Sequence, residues 1–139
     1  YGSGFLTDGT LDAQGADASG LFTALHYADS LNTRRDNAFR LAYAKTYKLQ
    51  PDVYAVQGYD AAQMLGIGMA AVKGDISKKA EFTSAVEKAK IDSPRGAFTL
   101  SKAHNPVQDF YLRQVDGKEN KLVSIASKAL ADPARGCKM

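Results

Sequence analysis

The sequence predicts an α/β fold that is incomplete as it stands, and three observations carry that expectation. A short apolar run, Leu21-Phe22-Thr23-Ala24-Leu25-His26, is bounded by Gly20 and Asp29 and has the length and flanks of a buried strand. Three stretches of helical periodicity follow it, between Ser30 and Lys90. The period then changes, and Asp116-Gly117 separates Phe110 to Val115 from Lys121 to Ala126, the signal of a hairpin. Together these elements are enough for a small α+β layer. The early run, however, reads as buried on both faces, which suits the middle of a parallel sheet whose other strands lie elsewhere. The expectation is therefore a piece of a larger protein.

Composition narrows the class. The 139 residues are 45% hydrophobic and 24% charged, ordinary for a globular chain and unlike a disordered one. No window approaches 18 uninterrupted apolar residues, so no membrane-spanning helix is expected. The net charge of +3 is spread along the chain, and Arg34-Arg35 is too short for the clustered basic face of a nucleic-acid binder. The first residue is Tyr1 and no secretory leader is visible, which says nothing about export if the chain is a piece. Cys137 is the single cysteine, so an internal disulfide is excluded, while a free thiol and a bond to an upstream cysteine both stay open.

Taken in order, Tyr1 to Gly20 is rich in Gly, Asp, Ser and Thr and reads as a loop with at most a short helical turn. After the strand, the polar stretch from Ser30 to Asp36 has room for a helix cap. Phe39, Ala42, Tyr43 and Tyr47 then share one face, with Arg40, Lys45 and Lys48 elsewhere, and this helix stops before Pro51. The stretch from Pro51 to Leu65 organises the chain, because it joins a polar, aromatic corner to the most apolar helix. From Asp60 onward Ala61, Met64, Leu65, Gly68, Ala71 and Val72 recur at helical spacing, up to a stop at Gly74-Asp75. Gly66 and Gly68 each weaken a helix by up to about 1 kcal/mol and are tolerable where another backbone packs closely. Ser77, four residues before Glu81, marks the start of a third helix over Lys78 to Lys90, with Phe82, Val86 and Ala89 on one face. Asp92-Ser93-Pro94 breaks it. Ala97-Phe98-Thr99-Leu100 is a short strand candidate, followed by a turn at Asn105-Pro106.

Several of these segments are familiar together. Tyr54 to Leu65, the loop Tyr1-Gly2-Ser3-Gly4-Phe5, the run from Ser93 to Asp109 and the ending from Ala131 to Met139 resemble the C-terminal third of a type I periplasmic solute-binding protein. The similarity is to the branched-chain amino acid family of ABC-transporter receptors, and within it to the branch that takes aromatic acids. The resemblance implies a partial type I fold, with three helices of one lobe and strands of the other. Residues 1–27 would end the second lobe, 28–109 would supply helices to the first, and 110–139 would return to the second as a hairpin and tail. It further implies a non-catalytic protein of the periplasm that binds a small carboxylate, an amino acid or an aromatic acid. Its partners would be that small ligand, an ABC permease in the membrane and the N-terminal remainder of the same protein, with no nucleic acid, metal or organic cofactor.

The expected ligand residues are Tyr1, Gly2, Ser3, Gly4, Phe5, Tyr54 and Gln57. Glycines flanking a serine let backbone approach a ligand closely and leave N–H groups for an anion; the alternative is a surface loop whose glycines only make turns. In amino-acid-binding members of the family the position matching Ser3 is an acid that pairs with the ligand's ammonium. Ser3 cannot supply that charge, which favours a carboxylate without an amine. Tyr54 matches the position where an aromatic from the first lobe covers the ligand's side chain, offering about 150 Å² or more of apolar surface and a hydroxyl. The alternative for Tyr54 is a core aromatic at a helix start. Gln57 and Tyr59 lie near the same crossing, with a structural role the safer reading for each.

Two other classes compete with this expectation. A ligand-sensing domain of a receptor or regulator shares the fold, and would carry a membrane or DNA-binding segment; no such appendage follows the last strand here, which mildly favours transport. An unrelated enzyme would need a convergent set around His26 or His104. Gly2-Ser3-Gly4 lacks the spacing of a nucleophile elbow, and two distant histidines with one terminal cysteine do not make a zinc site. Both histidines read as structural.

Overall fold

The computed structural model describes residues 1, 2, 6 and 8–136. Helix α1 (Asp8–Gln14) runs into a 3-10 turn (Gly15–Ala18), and strand β1 (Phe22–Leu25) follows. Helices α2 (Arg34–Tyr47), α3 (Val53–Ala71) and α4 (Lys79–Glu87) come next, then strands β2 (Thr99–Leu100), β3 (Pro106–Asp116) and β4 (Glu119–Leu130). The expected order of strand, three helices and hairpin is present. The opening stretch holds more helix than its composition suggests. Leu11 and Ala18 are buried there against Leu6 and Val115, so packing on the hairpin overrides a polar, glycine-bearing sequence.

The helix ends follow local chemistry. Thr33 caps α2, its hydroxyl accepting from the Asp36 N–H at 3.0 Å, and Lys48 closes it in a left-handed conformation. Asp52 caps α3 by accepting from the Ala55 N–H at 2.9 Å, so this helix begins at Val53 and takes in the aromatic corner itself. Ser77 does not cap α4. Its N–H and hydroxyl both go to the Asp75 carboxylate, a local turn that competes with the cap, and Lys78 stands at the cap position without a side-chain bond.

The buried face of α3 also departs from expectation. Val53, Val56, Asp60 and Gly68 are buried, whereas Ala61 and Ala71 are exposed and Leu65 is 56% exposed. What packs on α3 in this chain is Tyr27 and Phe39 at its start and Phe82 of α4 near its end. Gly68 is indeed a site of close approach, but to a ring: a Cβ there would lie 2.6 Å from Phe82 Cε2. Gly66 faces open space.

The sheet is antiparallel, not parallel. β3 pairs with β1 from Phe22↔Gln114 to Leu25↔Tyr111, with β4 over most of its length, and at its start with β2. Of β1 only Thr23 is buried and Ala24 is exposed, so the strand is not covered on both faces here. Pro106 is the first residue of β3, where its missing N–H is harmless. The hairpin turn falls on Gly117-Lys118, between the paired Asp116 and Glu119, with the positive φ at Gly117 that a II′ turn places first. Side chains of Tyr111, Arg113 and Val115 alternate inward along β3.

Two separate cores result. Leu6, Leu11, Ala18 and Val115 form one, joining the opening helix to the hairpin. Tyr27, Phe39, Val53 and Val56 form the other, between α2, α3 and the segment after β1. Among the described residues, Leu41 and Tyr47 of α2 stay exposed, as do Leu49 and Ile76 in the connections that follow α2 and α3.

Candidate ligand site at the end of strand β1

His26 follows β1 directly, and the register of β1 on β3 sets its ring edge-on to Phe110, with centroids 6.2 Å apart at 74°. Gln57, in the second turn of α3, reaches it: the amide Nε2 lies 3.2 Å from His26 Nε2. Burial first, and then the positive charges of Arg95 and Arg113, lower the imidazole pKa to about 4. The ring is therefore neutral at pH 7. It accepts the Gln57 N–H at Nε2 and carries its own proton on Nδ1, which has no partner among the described residues. Tyr54, three residues before Gln57 on the same helical face, is half exposed. Both residues sit at the N-terminal, electropositive end of α3.

One turn further along, α3 enters a buried charge cluster. Asp60 Oδ2 accepts from the Ser93 hydroxyl at 2.8 Å and from Arg95 Nε at 2.8 Å, with both charged side chains almost fully enclosed. Arg95 Nη1 donates to Gln108 Oε1 at 2.6 Å, its guanidinium lies 4.2 Å from the centre of the Phe98 ring, and its carbonyl accepts from the Tyr111 hydroxyl. Burial pushes the Asp60 carboxyl up and the Arg95 guanidinium down, so each charge is kept by the other. Residues 93–95 and β3 are thereby tied to the middle of α3. Beside it, Tyr27 donates to Asp36 at 2.9 Å and accepts from Arg40, while buried Arg113 donates to Thr23 Oγ1 and the Tyr27 carbonyl.

Of the residues expected from sequence, the structure brings Tyr54 and Gln57 to one place, with His26. Tyr1 lies at the other end of β1, fully exposed with its ring 6.1 Å from Phe22. The Gly2 N–H donates to the Phe22 carbonyl at 2.7 Å, and a Cβ on Gly2 would meet Leu6 Cδ1 at 2.5 Å, so this glycine admits a side chain of the protein itself. Ser3, Gly4, Phe5 and Cys137 lie outside the described residues. Sequence reasoning passed over the Asp60, Arg95 and Gln108 cluster. An acid inside an otherwise apolar helix was the available signal. His104 pairs with Glu87 at 2.8 Å on the surface, far in sequence from His26 and bonded to none of its partners. No group of three or more metal-ligating side chains occurs among the described residues, and no helix there is long and apolar enough to cross a membrane.

The profile of a periplasmic binding protein family matches residues 1–120. The chain belongs to that family. Members of the periplasmic binding protein family bind solutes and are not catalysts, and the name implies a place outside the cytoplasm. A solute-binding protein of an ABC transporter from R. palustris, solved in complex with benzoate, is 47% identical over 99% of this chain, with a TM-score of 0.92. Another from Rhodopseudomonas palustris BisB5, in complex with 3,4-dihydroxybenzoic acid, is 27% identical over 93% of the chain, with a TM-score of 0.79. A leucine-binding protein from Thermotoga maritima shares the fold over 85% of the chain at 15% identity and a TM-score of 0.71. No curated protein gives a significant match. The chain spans 38%, 36% and 34% of those three structures, so it corresponds to about a third of a periplasmic binding protein fold.

Proposed function

We propose that the chain is the C-terminal part of the substrate-binding component of an ABC importer, acting in the periplasm on a small aromatic carboxylate. The observation that carries the reading is the 47% identity, over nearly the whole chain, to a protein solved with benzoate. The two cores bear on the lobe division expected from sequence. Leu11 and Val115 join residues 1–27 to 110–139, while Phe39 and Val56 form a second core within 28–109 that also takes in Tyr27. On this reading β1 ends in the second lobe, α3 begins in the first, and the ligand lies where His26 meets Gln57. Tyr54 covers its ring. Ser3 in place of an acid disfavours an α-amino acid. A ligand touching both lobes binds the closed arrangement better and shifts the population toward it; closure presents it to the permease.

The test is calorimetric titration of the whole solute-binding protein, this chain joined to the rest of its two-lobed fold, with benzoate, hydroxybenzoates and leucine. Saturable binding of a benzoate-type acid, accompanied by a rise in melting temperature, is the expected result. At a hundred times Kd the stabilisation is about 2.7 kcal/mol. Binding of leucine without binding of any aromatic acid refutes the ligand class. Binding of none refutes the function.

A further inference from the structure

The contact between His26 and Gln57 has a chemistry that goes past ligand class, and it rests on the binding function proposed above. Gln57 engages one ring nitrogen of His26 at 3.2 Å, and Phe110 braces the ring edge-on. The other nitrogen, Nδ1, has no partner among the described residues, although the ring is only partly exposed. A neutral imidazole accepting at Nε2 must carry its hydrogen on Nδ1, so the open position is a donor and not an acceptor. Arg95 and Arg113 add positive potential at the ring, and the start of α3 adds its dipole. A group with acceptor oxygens and negative charge suits this place, and an ammonium does not.

We propose that His26 is a specificity-determining residue of the ligand site. It donates Nδ1–H to a carboxylate oxygen of the bound acid, while Gln57 fixes its tautomer from the neighbouring helix. The same hydrogen bond that orients the imidazole joins the end of β1 to the start of α3. Ligand recognition and the approach of these two elements therefore share one side chain. Gln57 is then a positioning residue, acting through His26.

Three variants of the whole solute-binding protein test this by titration with benzoate and by melting without ligand. His26→Phe keeps a ring against Phe110 and removes both nitrogens; benzoate affinity is expected to fall at least tenfold with the unliganded melting temperature held. His26→Asn places an amide N–H near the Nδ1 position and is expected to recover part of the loss. Gln57→Leu removes one hydrogen bond and frees the tautomer, and is expected to cost about two- to tenfold. The inference is overturned if His26→Phe binds benzoate within twofold of the parent. It is equally overturned if His26→Asn recovers nothing and the loss merely follows a lowered melting temperature. Should His26→Phe fail to fold, His26→Asn and Gln57→Leu decide: parental affinity in both overturns it. A parent that binds no benzoate-type acid removes the function itself, and this inference with it. A parent that binds while His26→Phe binds equally removes only the role of His26.

Discussion

Replacing Asp60 by Ala tests whether the cluster around Arg95 clamps the return strand to α3. Asp60 Oδ2 receives two bonds of 2.8 Å, one from the Ser93 hydroxyl and one from Arg95 Nε. A hydrogen bond to a charged group contributes about 1.5–3 kcal/mol, so the two together amount to about 3–6 kcal/mol. The variant also strands Arg95, whose side chain is 8% exposed, with Gln108 and the Phe98 face left to it among the described residues. Breaking one side of a buried pair costs about 3–5 kcal/mol for that reason. We expect Asp60→Ala to lower the unfolding free energy of the whole solute-binding protein by about 3–5 kcal/mol in urea titration. A double variant, Asp60→Leu with Arg95→Met, removes both charges and replaces them with apolar volume. It is expected to regain most of that loss, since such replacements are often neutral or stabilising. A loss under about 1 kcal/mol for Asp60→Ala refutes the reasoning. So does a double variant no more stable than the single one, because the cost would then not arise from a stranded charge.

Two further outcomes follow from local geometry. Gly68→Ala brings a Cβ to 2.6 Å from the Phe82 ring, an overpacking cost of about 1–3 kcal/mol against a helix-propensity gain of about 1 kcal/mol; denaturant titration should show net loss, and the sign should reverse in a Phe82→Ala background. His26, with its pKa lowered from 6.5 to about 4, binds its proton in the unfolded chain before the folded one. Its contribution to stability is complete above pH 6.5, falls as pH drops from about 6.5 to 4, and is flat below. The upper bound is about 3 kcal/mol, cut to about 1–2 kcal/mol by the ring's partial exposure; His26→Phe should flatten the urea midpoint over that window, and an unchanged slope would count against it.

The local chemistry of this chain is legible without its structure. Pro51 predicts the break before α3, Asp116-Gly117 predicts the hairpin to within one residue, and the helical periods mark α2 and α4. These are short-range effects, decided by backbone restrictions and neighbouring side chains. The family was legible too, through motifs spread over the whole chain. Tertiary structure decided the rest. Whether Leu21 to His26 runs parallel or antiparallel depends on which strand lies beside it, and β3, ninety residues away in sequence, settled that. Which face of α3 is buried depends on Phe39 and Phe82, not on the pattern of α3 alone, since an apolar helix offers more than one buriable face. His26, Gln57 and Phe110 come from three separate elements, as do Asp60, Ser93 and Gln108. No spacing in the sequence brings such groups together; only the register of the sheet and the packing of α3 against it do.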